Sequence, residues 1–184
     1  MFFLCLKRKK EQIFEAAAHT ILKEGLSQLT LQQVAEHANM TKAGLLYHFS
    51  SKEDLIQQMN EHAVASFRQQ LDTYQETYKN EKAPYVRAYI LATLNDLDRQ
   101  NTTQLCTSML ATMSFDEALL NPWRHFYAEF KEKATEEIND PALSQLIRLA
   151  CDGIWFSEMF QLEPLNREEK TLLLHRILHI LEEG

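Results

Sequence analysis

Apolar residues recur every three or four positions along most of the chain, which is the spacing of amphipathic α-helices. The first stripe is followed by Gly25, a residue that commonly ends a helix. It consists of Ile13, Phe14, Ala17, Ile21 and Leu22. A longer stripe predicts one helix over residues 52 to about 79. It consists of Leu55, Ile56, Met59, Ala63, Phe67 and Leu71.

The pattern after Pro84 predicts a helical body, since polar breaks separate further apolar stripes. These breaks give helices at about 84–100, 103–113, 116–138, 141–162 and 167–182. Pro122 is expected in a first helical turn or at a kink. With only 4 Gly and 4 Pro and few runs of β-branched residues, the 184-residue chain is predicted to be all-α.

Two short helices are predicted between the first stripe and the long helix. Thr30 can cap the first of them, and Gln33 stands where a capping box requires it. Asn39 tolerates the left-handed backbone of a tight turn, and Thr41 can cap a second helix from Lys42 to about Phe49. Two short helices joined in this way form a helix-turn-helix, which commonly binds DNA.

The same stretch resembles the DNA-binding signature of the tetracycline-repressor (TetR) family of bacterial regulators. The matching residues are Thr30, Val34-Ala35, Ala38, Met40-Thr41-Lys42, Leu45, Tyr47-His48-Phe49 and Lys52. The chain departs from the family pattern at Asn39, where the family usually has glycine. It departs again at Leu46, where the family often has a tyrosine that contacts phosphate.

The resemblance implies a helix-turn-helix DNA-binding domain at residues 7–67, with the motif itself at 30–49, and a helical ligand-binding and dimerisation domain at 68–184. It implies a homodimeric repressor that a small molecule releases from a palindromic operator in double-stranded DNA. Repression and activation are not separable from the sequence, nor are the operator, the regulated genes and the identity of the inducer.

The start of the second short helix is expected to contact bases, because small residues there allow close approach and Lys42 can reach a guanine edge or a phosphate. The neighbouring polar residues are expected mainly to hold phosphates. The basic run Lys7–Lys10 is expected to open the first helix. It either contacts phosphate or the minor groove, or is a solvated helix start or fraying tail. The expected DNA-binding residues are Arg8, Thr30, Gln32, Thr41, Lys42, Ala43, Gly44, Tyr47, His48 and Lys52.

Charge is distributed unevenly along the chain, which has a net charge of -7. Residues 1–55 contain 7 Lys/Arg and 6 Asp/Glu, whereas residues 56–184 contain 12 and 20. The acidic body is therefore repelled from phosphate, and basic charge is kept at the DNA-binding end.

The helical body contains aromatic and methionine residues that can line a cavity for a hydrophobic or cationic small molecule, with Asp96 as a buried acid. The family typically binds its inducer in this domain. The expected ligand-binding residues are Tyr89, Asp96, Met109, Met113, Trp123, Phe126, Trp155 and Met159. For most of them taken singly, a place in the hydrophobic core is the competing interpretation.

The last two predicted helices are apolar on more than one face, so each needs cover from its own core and from a partner. The family resemblance implies a four-helix dimer interface built from the same two helices of each chain. The expected interface residues are Ala150, Ile154, Leu174, Ile177, Leu178 and Leu181.

Catalytic patterns are missing from the sequence, which has no nucleophile elbow, glycine-rich phosphate loop or HExxH. We therefore expect no enzyme activity, cofactor or metal, although His175, His179 and Glu182 could share a helix face. Unpaired cysteine spacing and the lack of a membrane-length apolar run predict a cytoplasmic protein without membrane contact. Two rival hypotheses are a helical protein-interaction module that does not bind DNA, and an enzyme or carrier using the aromatic cavity.

Overall fold

The computed structural model describes residues 2–95 and 117–183. Within these ranges the chain forms α-helices and short 3-10 turns and contains no strand, which confirms the all-α prediction. The α-helices are α1 (Phe2–Glu24), α2 (Leu31–His37), α3 (Lys42–Leu46), α4 (Lys52–Thr77), α5 (Pro84–Asn95), α6 (Asn121–Glu137), α7 (Pro141–Phe160) and α8 (Arg167–Glu183). No helix in the described ranges is long and apolar enough to cross a membrane.

Two predicted helix starts and one predicted end were wrong. Helix α1 begins at Phe2 rather than at the basic run, because no Gly, Pro or capping residue interrupts the helix-forming residues between them. Helix α6 begins at Asn121 rather than near 116, and a 3-10 turn precedes it. Pro122 lies in its first turn, where a missing N–H costs nothing. Helix α3 ends at Leu46, and the chain continues to Phe49 in turns.

The first unit comprises the described residues up to 63 together with 117–121. Its core is formed by α1, α2, α3 and the first part of α4. The largest fully buried side chains there are Ile13, Leu29, Leu45, Phe49, Leu55 and Ile56. Leu22, which was predicted on the buried face of α1, is 57% exposed, because nine residues from Ile13 bring it to the opposite side of the helix.

The second unit comprises the described residues 64–95 and 122–183. Helix α5 is buried from Tyr85 to Leu94 and packs against α7 and α8. The carboxylate of Glu137 on α6 accepts the backbone N–H groups of Tyr85 and Val86, both at 2.9 Å. These donors have no partner within the first helical turn, so Glu137 caps α5 from a neighbouring helix.

Local caps fix the beginnings of α7 and α8. The Asp140 carboxylate accepts the N–H of Ala142 at 2.9 Å, and Pro141 occupies the first turn of α7. The Asn166 side chain accepts the N–H of Glu169 at 3.0 Å, and the Glu169 carboxylate accepts the N–H of Asn166 at 2.8 Å. This reciprocal pair satisfies donors at the start of α8.

Candidate functional site

Helix α3 is held so that its first residues face outward. The Thr41 hydroxyl accepts the N–H of Gly44 at 3.1 Å, which caps the helix, and Leu45 is fully buried beneath it. Asn39 has a φ of 52°, so the predicted left-handed turn is present. Lys42 and Ala43 are exposed directly after this turn, where they can approach a groove.

Two large apolar side chains are exposed beside this helix start. Leu46 is 43% exposed and Tyr47 is 80% exposed. A leucine at this position can contact a thymine methyl group, whereas the tyrosine that the family often has there would contact phosphate. Leu46 is thus a candidate contact that the sequence analysis missed, and the signal was an apolar residue beside the buried Leu45.

The residues predicted at the start of α2 are engaged within the chain. The Thr30 hydroxyl accepts the N–H of Gln33 at 3.2 Å, and the Gln33 side chain accepts the N–H of Thr30 at 3.0 Å. The predicted capping box is therefore confirmed. Gln32 is exposed and donates to the Glu36 carboxylate at 2.7 Å.

Lys52, at the first position of α4, is half-buried. Its ammonium group donates to the backbone carbonyl of Leu26 at 3.0 Å. Ser51 caps the helix by accepting the N–H of Asp54 at 3.1 Å. Lys52 therefore connects the start of α4 to the turn that follows α1.

His48 lies between the end of α3 and α4 and is half-buried. Partial burial, followed by the positive charges of Lys10 and Lys9, lowers the pKa of its imidazole below the usual value. The same cations would attract a phosphate. Arg8 lies within α1, and its side chain is outside the described part of the structure.

Aromatic side chains fill the core of the second unit. Tyr89, Trp123 and Phe126 are buried, and Trp155 is half-buried. The ring centroids of Phe67 and Trp155 are 6.0 Å apart, and those of Phe67 and Phe126 are 5.4 Å apart. These predicted ligand-binding residues thus pack as one aromatic cluster. Asp96, Met109 and Met113 lie outside the described residues, as does the side chain of Met159.

A carboxylate in this cluster was missed as a site residue by the sequence analysis. Asp152 on α7 accepts the hydroxyl of Tyr89 at 3.0 Å and that of Tyr127 at 2.9 Å. Arg148, one turn earlier, forms an ion pair with it at 2.7 Å. The pKa of both tyrosines is raised, chiefly by burial and further by the negative charge of Asp152. Both hydroxyls therefore stay protonated and act as hydrogen-bond donors. The clue in the sequence was an acid within the apolar run around Trp155.

The predicted dimer residues divide into two groups. Ile154, Ile177 and Leu181 are buried within their own protomer and so belong to its core. Ala150, Leu174 and Leu178 are half-buried.

The large exposed apolar side chains of these two helices lie at other positions. They are Leu146, Leu149, Phe156 and Phe160 on α7 and Leu172 on α8, and Leu162 follows α7.

His175, His179 and Glu182, which could have shared one face of α8, do not form a metal site in the structure. Glu182, predicted near His179, pairs instead with Arg87, and His179 is 3.2 Å from Glu183. In the described ranges no group of three His, Cys, Asp or Glu side chains could hold a metal ion.

Two family models match the chain. The model described as "Bacterial regulatory proteins, tetR family" matches residues 13–59, and "Tetracyclin repressor-like, C-terminal domain" matches residues 83–182. The chain carries a helix-turn-helix followed by a helical body, the architecture of a DNA-binding transcriptional regulator. It belongs to the TetR family.

Helix-turn-helix transcriptional regulators are similar to part of the chain. The HTH-type transcriptional regulator TtgR of Pseudomonas putida is 38% identical over 48 residues, which is 26% of this chain and 23% of that protein. A regulator of Haemophilus influenzae is 31% identical over 62 residues, 34% of this chain and 33% of that protein. The matched stretch thus spans a third or less of these relatives.

Solved structures share the fold over nearly the whole chain. A TetR transcription regulator from Haloarcula marismortui is 14% identical, covers 96% of this chain and 98% of its own, and has a TM-score of 0.70. The multidrug binding protein EbrR, solved with malachite green, is 18% identical, with 91% and 96% coverage and a TM-score of 0.66. At these identities the similarity establishes the fold alone.

Proposed function

We propose that the chain is a homodimeric repressor that a small molecule releases from a palindromic operator. The observation that carries this proposal is the capped, outward-facing start of α3. There Lys42 and Ala43 are exposed directly after the Thr41 cap. Each protomer would place α3 in a major groove, and two-fold symmetry would make the two half-sites inverted repeats. We infer regulation without catalysis, because both matched family models describe regulatory proteins.

The proposed dimer forms along one face of α7. Leu146, Leu149, Gly153, Phe156 and Phe160 follow one another at intervals of three and four residues, and all five are exposed. That interval is the one by which two helices pack side by side over several turns. Isolated apolar residues on a surface are ordinary, but a continuous stripe of this kind marks an interface.

The residues chosen from the sequence extend this stripe only in part. Ala150 lies beside it on α7, and Leu174 and Leu178 are half-buried on α8. We keep these three in the proposed interface. Ile154, Ile177 and Leu181 would support it from beneath, because each protomer already buries them.

The proposed ligand site is the aromatic cluster around Asp152. Carboxylate and aromatic faces together suit a hydrophobic or cationic ligand. Arg148 is the group that such a cation would replace at Asp152. The structure of EbrR with malachite green gives a precedent for a small organic molecule bound within this fold.

The test is retention of DNA from the organism's own genome, followed by release with small molecules. Genomic fragments are passed over immobilised full-length protein, and the retained fragment is then challenged with hydrophobic monocations such as malachite green. The proposal expects one or a few promoter fragments, one beside its own gene, and their release by at least one compound. Retention of fragments without sequence preference would contradict it.

A further inference from the structure

Two basic residues meet near the junction of α1, α3 and α4: Lys10, from the basic run Lys7–Lys10, and His48, one of the expected DNA-binding residues. Lys10 on α1 is half-buried, and its ammonium group lies 5.6 Å from the centroid of the Phe49 ring. The His48 ring lies 6.3 Å from the same ring. Lys10 and His48 therefore both flank Phe49, which is fully buried and fixes their positions.

Lys10 is held in place by a neutral partner. Its ammonium group donates to the Gln58 side-chain oxygen at 2.7 Å, and Gln58 in turn donates to Asp54 at 2.7 Å. Asp54 accepts the N–H of Ser50, also at 2.7 Å. This hydrogen-bonded series orients Lys10 toward the start of α4. Gln58 is neutral, and Asp54, a carboxylate whose charge acts on Lys10, is already bonded to Gln58 and to the Ser50 N–H. Lys10 forms no direct ion pair with it in the described residues, so an anion can still bind its ammonium group.

We propose that Lys10 and His48 together bind one phosphate of the DNA backbone, and that His48 takes up a proton when they do. The proposal rests on the DNA-binding function of the family and adds Lys10 to the contact surface. It also gives His48 a charge that changes between free and bound protein.

The charged groups around the His48 imidazole determine whether it carries a proton. Lys9 and Lys10 face it from α1 and favour its neutral form, and Tyr47 stacks edge-on at 5.4 Å. Three charged groups lie at the start of α4. Lys52 donates to the Leu26 carbonyl, and Asp54 accepts the Ser50 N–H. Glu53 is exposed. A phosphate bound beside the two lysines adds a negative charge close to the imidazole, which favours the imidazolium and raises the pKa of His48 above its value in the free protein. The free protein thus has the lower pKa and the complex the higher one.

The sign of the pH effect follows from that order. Affinity rises as pH falls through the pKa of the complex, and levels off below the pKa of the free protein. Between the two values each protomer gains up to about tenfold in affinity per pH unit. Other histidines contribute only if their own pKa changes on binding.

The experiment measures binding of the retained genomic fragment by wild type and His48→Gln between about pH 8 and about pH 5.5, where histidine titrates. Wild type should bind increasingly better at low pH, and His48→Gln should lose that increase and converge with wild type at high pH. His175→Gln is the matched control, because His175 is exposed on α8, and it should keep the wild-type profile. Equal pH profiles for wild type and His48→Gln would overturn the proposal while leaving DNA binding intact.

Lys10→Gln tests the other half of the site. The salt dependence of DNA binding should flatten by about one unit of slope. In the free variant, NMR titration should show a higher pKa for His48, because a neighbouring cation has been removed. An unchanged salt slope and an unchanged His48 titration in a variant with native circular dichroism would refute the shared site.

Discussion

The ammonium group of Lys52 donates a hydrogen bond to the backbone carbonyl of Leu26 at 3.0 Å. It joins the first turn of α4 to the turn that ends α1, so a residue expected to contact phosphate also holds the DNA-binding unit together. The two roles predict different consequences when Lys52 is removed.

Lys52→Ala should lower the stability of the protein and weaken its binding to all DNA sequences. Loss of the Leu26 hydrogen bond should cost about 0.5–1.5 kcal/mol in free energy of unfolding, measured by denaturant titration. If Lys52 also contacts a phosphate, the salt dependence of binding should flatten by about one unit. A loss of stability with an unchanged salt slope would assign Lys52 a structural role alone.

Lys42→Ala is the matched control, because Lys42 is exposed at the start of α3. Its free energy of unfolding should stay within about 0.5 kcal/mol of wild type. Base contact predicts a loss of about 1–3 kcal/mol in binding and relaxed preference at one symmetric operator position. Uniform weakening across operator variants would make Lys42 a phosphate contact.

Leu149→Asp and Ile177→Asp should separate the dimer surface from the protomer core. Leu149 is 56% exposed in the protomer, whereas Ile177 is 6% exposed. Leu149→Asp should give monomers that stay helical, because the carboxylate remains in water once the dimer dissociates, and should lose only the stability that dimerisation contributes. Ile177→Asp should instead unfold readily, because it buries an unpaired charge. Dimers of Leu149→Asp in sedimentation would rule out the α7 stripe as the interface.

Gly153→Ala should affect the protomer and the dimer in opposite directions. Gly153 is exposed in the middle of α7, and a Cβ built there meets no atom of the protomer within 4 Å. Alanine should therefore stabilise the isolated helix by roughly 0.8–1 kcal/mol. If a partner helix crosses closely at this glycine, the same methyl group should weaken dimerisation, measured by sedimentation across a dilution series. An unchanged or tighter dimer would place the crossing elsewhere on the stripe.

Asp152→Ala should destabilise the protein more than Tyr127→Phe does. Without Asp152, the buried Tyr89 hydroxyl loses its acceptor, and a buried unsatisfied group costs about 1–3 kcal/mol. Tyr127→Phe removes one donor and should cost about 0.5–1.5 kcal/mol. Denaturant titration gives both values. Equal costs for the two variants would mean that Asp152 does not organise the cluster.

The features that the sequence predicted best are local. Thr30, Asn39 and Thr41 determine caps and a turn through contacts within a few residues, so their residue types alone fixed the geometry. The family signature covers the same stretch.

The features it missed depend on distant contacts. Asp152 meets Tyr89 and Tyr127 from two other helices, and no sequence spacing announces that convergence. An apolar pattern likewise cannot distinguish Ile177, which is buried by its own chain, from Leu149, which is exposed in the protomer. Helix periodicity identifies apolar faces, whereas the packing of the whole body decides what covers each face.

Binding of the operator as a homodimer is tested by the number of protomers on the DNA fragment that the protein retains from its own genome. Sedimentation of that complex at increasing salt measures stoichiometry and phosphate dependence together. We expect two protomers per palindromic site, with affinity falling steeply as salt rises, and a free protein that is already a dimer at micromolar concentration. A single protomer bound tightly to one half-site, or binding that does not change with salt, would contradict it.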